Sequence, residues 1–251
     1  MKNNLLLFLL LVLFNSCAEL QTLVDQYPLE QEKPLSSSEI GNGLKEALRV
    51  GSINAANILS SKDGFYKDEI VKIALPPETQ IISNNIRMIP GGKDLIQKVE
   101  IRLNRAAEDA VKASTPIFAS AIKDMTISDA LSILQGNDNA ATLYLQGKTY
   151  NKLKNLFLPK VKNSLDKKLI ANISTNESWS LLTESYNKVA NSFAGKAVNL
   201  EVVNTKLEDY VTNKALNALF LKLAIEEKQI RKDPLKRIND ILKRVFGTLD
   251  K

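Results

Sequence analysis

The sequence predicts an all-α protein, a multi-helix bundle behind a cleaved lipoprotein signal peptide and a flexible tether. Three observations carry that reading. Apolar residues recur at steps of three and four along most of the 251 residues. Capping residues stand where those runs begin, and glycine or proline where they end. No stretch alternates apolar and polar residues for long enough to compete as a strand, so pattern, caps and breakers agree.

The leader comes first. Lys2 and the amino terminus give a positive start, Leu5 to Phe14 is ten residues without a polar side chain, and Asn15, Ser16 and Cys17 close the segment. That is the layout of a secretory signal. Ten residues rise only about 15 Å as a helix, half of the roughly 30 Å hydrocarbon core, too short to span it. Cys17 is the sole cysteine. The run Leu13-Phe14-Asn15-Ser16-Cys17 resembles a relaxed lipobox, with Ser16 as the small residue before the cut. Residues 1–16 are therefore expected to be a signal peptide, and 17–38 a lipidated cysteine and tether. Pro28, Pro34 and Ser36 to Ser38 resist regular structure, and about twenty such residues reach roughly 25 Å. Residues 39–251 are expected to form a single helical domain.

The first helix is expected to start at a Ser38 cap, with Ile40, Leu44, Ala47 and Leu48 on one face, an interruption at Gly51, and Ile53 to Leu59 continuing. Asp63-Gly64 reads as a turn. Ile70, Val71, Ile73 and Leu75 read as a short buried piece, ended by Pro76-Pro77, with Pro77 able to open a helix. After the Pro90-Gly91-Gly92 break, Ile96, Val99, Leu103, Ala106 and Ala110 form one seam. Ser114-Thr115-Pro116 starts a short helix with Ile117, Phe118 and Ile122 inward. Thr126 to Asp129 spells a capping sequence, and Gly136 a stop. Asn137 to Asn139 is expected to cap the next helix, whose seam Leu153, Phe157, Val161 and Leu165 passes Pro159, where a kink or break is expected. Asn172 to Glu177 reads as a loop, followed by a helix marked by Trp179, Leu182, Tyr186 and Val189. Gly195 to Asn204 is a second loop candidate. Leu207 to Ile230 is a long helix, broken at Asp233-Pro234. The last helix is expected to present Leu235, Ile238, Ile241, Leu242, Val245 and Phe246, with Gly247 at its end.

Composition removes several chemistries. The chain has no histidine, and lipidation would block its one thiol. Ser-His-Asp and Cys-His catalysis, histidine-based zinc or haem sites and disulfides are excluded. No cofactor or metal site is expected. Gly91-Gly92-Lys93 precedes a helix but lacks the spacing of a phosphate-binding loop. Asn104, Arg105 and Glu108 share one side of their helix and are a candidate polar cluster. Asp63, Asp129 and Asp138 lie in turns or caps. The formal charge of +6 is concentrated in one stretch. There Lys148, Lys152, Lys154, Lys160 and Lys162 form a candidate membrane-facing basic run. It lacks the interleaved aromatics of a base-stacking surface, so no nucleic-acid partner is expected.

Several stretches resemble one bacterial family. They include Gly43 to Leu48, Asp63-Gly64-Phe65-Tyr66 through Pro76, Leu103 to Glu108, Met125 to Ala130 through Tyr144, and Asp209 to Gly247. Together they resemble the domain of unknown function 4197, found in exported and lipid-anchored bacterial proteins. The likeness spans about Glu39 to Gly247. It implies a helical exported domain and no assigned activity. The resulting expectation is a lipid-anchored cell-envelope protein acting as a binding or scaffold module, without an enzyme signature. Its expected partners are the membrane, through lipid on Cys17, and an envelope protein or an apolar ligand. By resemblance to known lipoprotein sorting, Ala18 after the cysteine favours the outer membrane; the expected side is the periplasm, with the cell surface as the alternative. The alternatives are a carrier of an apolar ligand between helices, and a hydrolase of envelope polymers using two of Asp63, Asp129, Asp138 and Glu108 about 5 to 9.5 Å apart.

Overall fold

The computed structural model describes residues 34–80, 83, 92–168 and 173–250. Ser37–Lys251 cluster as one compact unit. The other unit, Met1–Ser36, lies almost wholly outside the described residues, and with it the expected signal peptide, Cys17 and most of the tether.

The helices are α1 (Ser37–Ser60), α2 (Gly92–Val111), α3 (Thr115–Lys123), α4 (Ile127–Leu134), α5 (Ala140–Leu165), α6 (Thr175–Ala190), α7 (Phe193–Ala197), α8 (Leu207–Lys232) and α9 (Asp240–Gly247). Single 3-10 turns occur at Pro77–Thr79 and Pro234–Lys236. No β-strand appears among the described residues. The protein is an all-α bundle. Helix α8 packs on α1, α2 and α5, and α2 packs on α1 and α5; α3, α4 and α9 close around α1; α6 rests on α5 and α7. Glu227, near the end of α8, meets Thr142 at the start of α5, and Glu208 at the start of α8 lies within electrostatic reach of Lys162. The two longest helices therefore run antiparallel.

The core follows the apolar seams. Leu44, Leu48 and Leu59 of α1, Leu103 of α2, and Leu145, Leu153, Phe157 and Leu165 of α5 are all essentially without solvent contact. Phe220 of α8 meets Phe118 of α3 edge-on at 5.9 Å and stacks with Tyr150 of α5 at 6.4 Å. Such ring pairs favour this placement beyond the area they bury.

Four local expectations are corrected. α1 passes through Gly51 without interruption, because Leu223 and the Glu226 stem fill the groove beside it. Pro159 does not break α5, which continues through it: the residue is exposed, so the carbonyl its ring frees can be hydrated while the buried seam runs on past it. The stretch Asn172 to Glu177 is not wholly loop: Ser174 and Glu177 form a capping box that starts α6 at Thr175. In the piece expected to be buried before Pro76, Val71 and Ile73 are, but Ile70 is 69% exposed.

Close approach of α9 to α1 depends on Gly43. A Cβ there would stand 2.5 Å from Val245 Cγ2, a distance no real contact reaches. The expected last helix is shorter than its apolar pattern. Leu242, Val245 and Phe246 are buried, whereas Leu235 and Ile238 precede α9 and are 90% and 67% exposed.

Candidate functional site

The candidate polar cluster on α2 faces the 63–73 segment. Asn104 is fully buried. Its Oδ1 accepts from Ile73 N at 2.9 Å, and its Nδ2 donates to Ile73 O at 2.8 Å and to Glu100 O at 2.7 Å. The carboxamide thus pairs with both backbone groups of one residue, as a neighbouring strand would. One turn on, Glu108 accepts from Phe65 N at 3.4 Å and from Arg105 Nη1 at 2.5 Å. The other arm of Arg105 donates to Asp63. Asp63 adopts a positive φ of 68°, and a Cβ at the following Gly64 would stand 2.3 Å from Ile58 O, so the turn admits only glycine there. Asn104, Arg105 and Glu108 are brought together, and what they hold is the chain's own backbone.

A second buried polar group lies at the other end of α1. Glu227 on α8 accepts from Ala141 N at 2.9 Å, Thr142 N at 2.8 Å and Thr142 Oγ1 at 2.8 Å. It therefore caps α5, where the side chain of Asn139 makes no capping bond. The expected Asn137 to Asn139 cap is replaced by a carboxylate from another helix, which suits the positive end of the α5 dipole better than a neutral amide. Arg231, one turn later, pairs with Glu227 at 3.0 Å and donates to Leu134 O and Ile133 O at 3.1 and 2.8 Å. Beside the pair is a small cavity lined by Leu44, Leu48, Leu223, Ile230 and Phe246 among others, with room for about one water molecule.

The carboxylates weighed for hydrolysis divide into three places. Asp63 and Glu108 share the Arg105 guanidinium. The Lys67 ammonium and the Arg105 guanidinium hold the Asp63 carboxyl below the usual carboxylate range, the opposite of what a proton donor needs. Asp129 closes the Thr126 capping box at the start of α4 and receives the Tyr144 hydroxyl at 3.4 Å. Asp138 pairs with Lys232 at 3.2 Å. Among the described residues no cluster of three or more carboxylate, histidine or cysteine groups could hold a metal ion.

Along α5, Lys148, Lys152 and Lys160 flank the buried seam on one side, and Lys154 and Lys162 on the other, by the rotation of about 100° per residue. Lys148 sits over the Tyr144 ring at 5.6 Å and Lys162 pairs with Asp166 at 2.5 Å. They do not line up as a single flat face. Gly91 lies outside the described residues, and Cys17 with it.

A family model described as Protein of unknown function (DUF4197) matches residues 34–247. The chain belongs to this family. No curated protein and no solved structure matches it.

Among the described residues of this DUF4197 domain, one group of exposed apolar side chains is one that sequence reasoning missed. Helix α6 is tied down on one side only. Trp179 Nε1 donates to Thr205 O at 2.8 Å, and the Asn187 carboxamide pairs with Val203 N and O at 2.8 and 2.9 Å. Leu181, Val189, Phe193 and Val198 remain outside, and Phe193 is 92% exposed. The sequence hides it, since Val189 keeps the helical spacing of Trp179, Leu182 and Tyr186 and groups with them, yet it is 57% exposed. No helix of the described residues is long and apolar enough to cross a membrane.

Proposed function

We propose that the protein is a lipid-anchored module of the bacterial cell envelope, held through Cys17 at the outer membrane and facing the periplasm, and that it binds another envelope protein through α6 and α7. The observation that carries this reading is the group of exposed apolar residues Leu181, Val189, Phe193 and Val198 on one small helical unit. Large apolar side chains left exposed together on one small unit are the kind of surface that marks interaction sites. The leader layout of residues 1–17 supports the placement. The polar clusters support a rigid scaffold, because Asn104, Glu108, Glu227 and Arg231 spend their hydrogen bonds on backbone. The cavity beside Glu227 is too small for the apolar ligand of the carrier reading, and Asp63 is poorly suited to the acid of the hydrolase reading.

The test places a photoreactive p-benzoylphenylalanine at position 193 of the full chain in intact cells. A discrete protein adduct, lost when Leu181 and Val189 are changed to serine, is the expected result. Absence of any reproducible protein adduct overturns the binding role. Separately, Cys17→Ser releases the domain to the soluble fraction with its helical content unchanged; retention in the membrane fraction overturns the anchor.

A further inference from the structure

We infer that the protein bound by α6 is a second copy of this chain, laid antiparallel along the same helix about a two-fold axis near Ser185. This rests on the binding role proposed for α6 and α7 and names the occupant of that surface.

Helical rotation puts the surface together. At about 100° per residue, Ser178, Leu181, Leu182, Ser185 and Val189 fall within one sector of α6 about 100° wide. Four of them are exposed and Leu182 is half-buried. The buried residues of α6, Thr175, Trp179 and Ala190, all fall outside the sector, and no charged side chain falls inside it. Ser178 and Ser185 are seven residues apart, as are Leu182 and Val189. A seven-residue repeat keeps such a seam turned toward one facing helix. The spacing between packed helices follows the side chains at the contact, and serine at the crossing point permits a close one.

Charge selects the occupant and its direction. Glu177, Glu184 and Lys188 border the sector on the Leu181 side, so that border is acidic in its first half and basic at its end. Glu184 and Lys188 are exposed, and neither makes an ion pair among the described residues, not even with the other one turn away. In an antiparallel pair, each helix lays this border against the same border of its copy. With the axis near Ser185, Glu184 lies opposite Lys188 of the second copy, and Leu182 opposite Val189 of the second copy. The two-fold repeats both contacts, which is the self-complementarity an isologous interface requires. Parallel pairing would set Glu184 on Glu184 and Lys188 on Lys188, like charge on like.

Phe193, just beyond the end of α6 and almost wholly exposed, then comes toward the small Ser178 at the start of the facing helix. The 16 residues of α6 rise about 24 Å, which puts the contact at the small end of protein interfaces. Such a pair exchanges between monomer and dimer instead of locking.

The test uses the full chain in intact cells. Ser185→Cys is treated with a short bis-maleimide, with the unaltered chain and Ser61→Cys, an exposed site just past α1, as controls. A covalent dimer of twice the chain mass is expected at 185, several-fold above both controls. Glu184→Lys and Lys188→Glu, each added to the Ser185→Cys chain, are expected to lose that dimer about fivefold, because two opposite-charge contacts become like-charge ones. Co-expressed under different tags, the two variants are expected to recover a mixed dimer, since each supplies the charge the other lacks. Helical circular dichroism is expected to be unchanged in all of them. Equal crosslinking at 185 and 61 overturns the inference, and so does a mixed pair that fails to recover. The benzophenone at position 193 reads the binding role separately. An adduct to a different protein, with no dimer at 185, keeps that role and removes the second copy; neither adduct nor dimer removes both.

Discussion

Glu227 and Arg231, one turn apart on α8, each close the end of a different helix: the carboxylate caps the start of α5 and the guanidinium caps the end of α4. Both side chains are almost without solvent, at 6% and 4% exposure, and they pair with each other at 3.0 Å. One ion pair thus fixes where two helices stop and start. Removing one partner leaves an uncompensated buried charge. Glu227→Ala is expected to cost about 3–5 kcal/mol in urea unfolding. Adding Arg231→Met to it is expected to restore part of that loss, because the orphaned guanidinium is gone. Additive losses in the double-mutant cycle would show that the two residues act separately.

Asn104 replaces a strand for Ile73, and no water can substitute at a site without solvent contact. Asn104→Ala is expected to destabilise by about 3 kcal/mol, since Ile73 N and O both lose their partner. Asn187→Ala breaks the same pairing to Val203 at a part-buried position and is expected to cost about 1 kcal/mol. Equal losses at the two sites would contradict the role of burial.

Gly43 is a packing requirement. Gly43→Ala is expected to cost about 1–3 kcal/mol, because Val245 is fully buried and has nowhere to move. Val245→Ala in the same chain makes room for the new methyl and is expected to return part of the loss in thermal unfolding.

Thr212 Oγ1 is a buried hydroxyl with no hydrogen-bond partner among the described residues. Thr212→Val keeps the shape and removes the unsatisfied oxygen. A gain of about 1 kcal/mol is expected in chemical denaturation; a loss would mean that the hydroxyl has a partner in solution.

The pH profile has a definite shape. Asp63, Asp68, Glu46, Asp129 and Glu177 are all held below their ordinary values, by Lys67, Lys222, Arg49, Thr126 and Ser174 respectively as the leading partner. A carboxylate whose folded value is depressed adds stability that is complete above its unfolded value, near about 4. That stability is lost as pH falls through the folded value. With no histidine in the chain, no side chain of ordinary pKa titrates between about pH 5 and 8. Melting temperature is expected to be flat across that window and to drop below about pH 4; a step near pH 6.5 would contradict this.

What the sequence reveals and what it hides divide along the range of the interaction. Thr126 and Asp129 are three residues apart, and their capping box is legible. Ser174 and Glu177 spell the same box, and the loop reading overlooks it because polar residues crowd around it. Glu227 and Thr142 are 85 residues apart, so nothing near Asn139 announces that its cap comes from elsewhere. The same holds for Asn104 and Ile73, whose pairing turns a candidate site residue into a structural one. Leu235 and Ile238 mislead for a different reason. Their periodicity is helical, but Asp233, Pro234 and buried Arg237 fold the backbone into a turn that points them outward.

The seat of α9 against Gly43 has a bearing on how the chain is made. The first helix of the bundle is covered by the last, across about two hundred residues of intervening polypeptide. A growing chain released before Asp240 would leave the first turns of α1 around Gly43 without the apolar cover of Val245 and its neighbours. Maturation therefore waits for the final few residues to be synthesised, and truncation near the carboxyl end is expected to yield an aggregating product rather than a slightly shorter one.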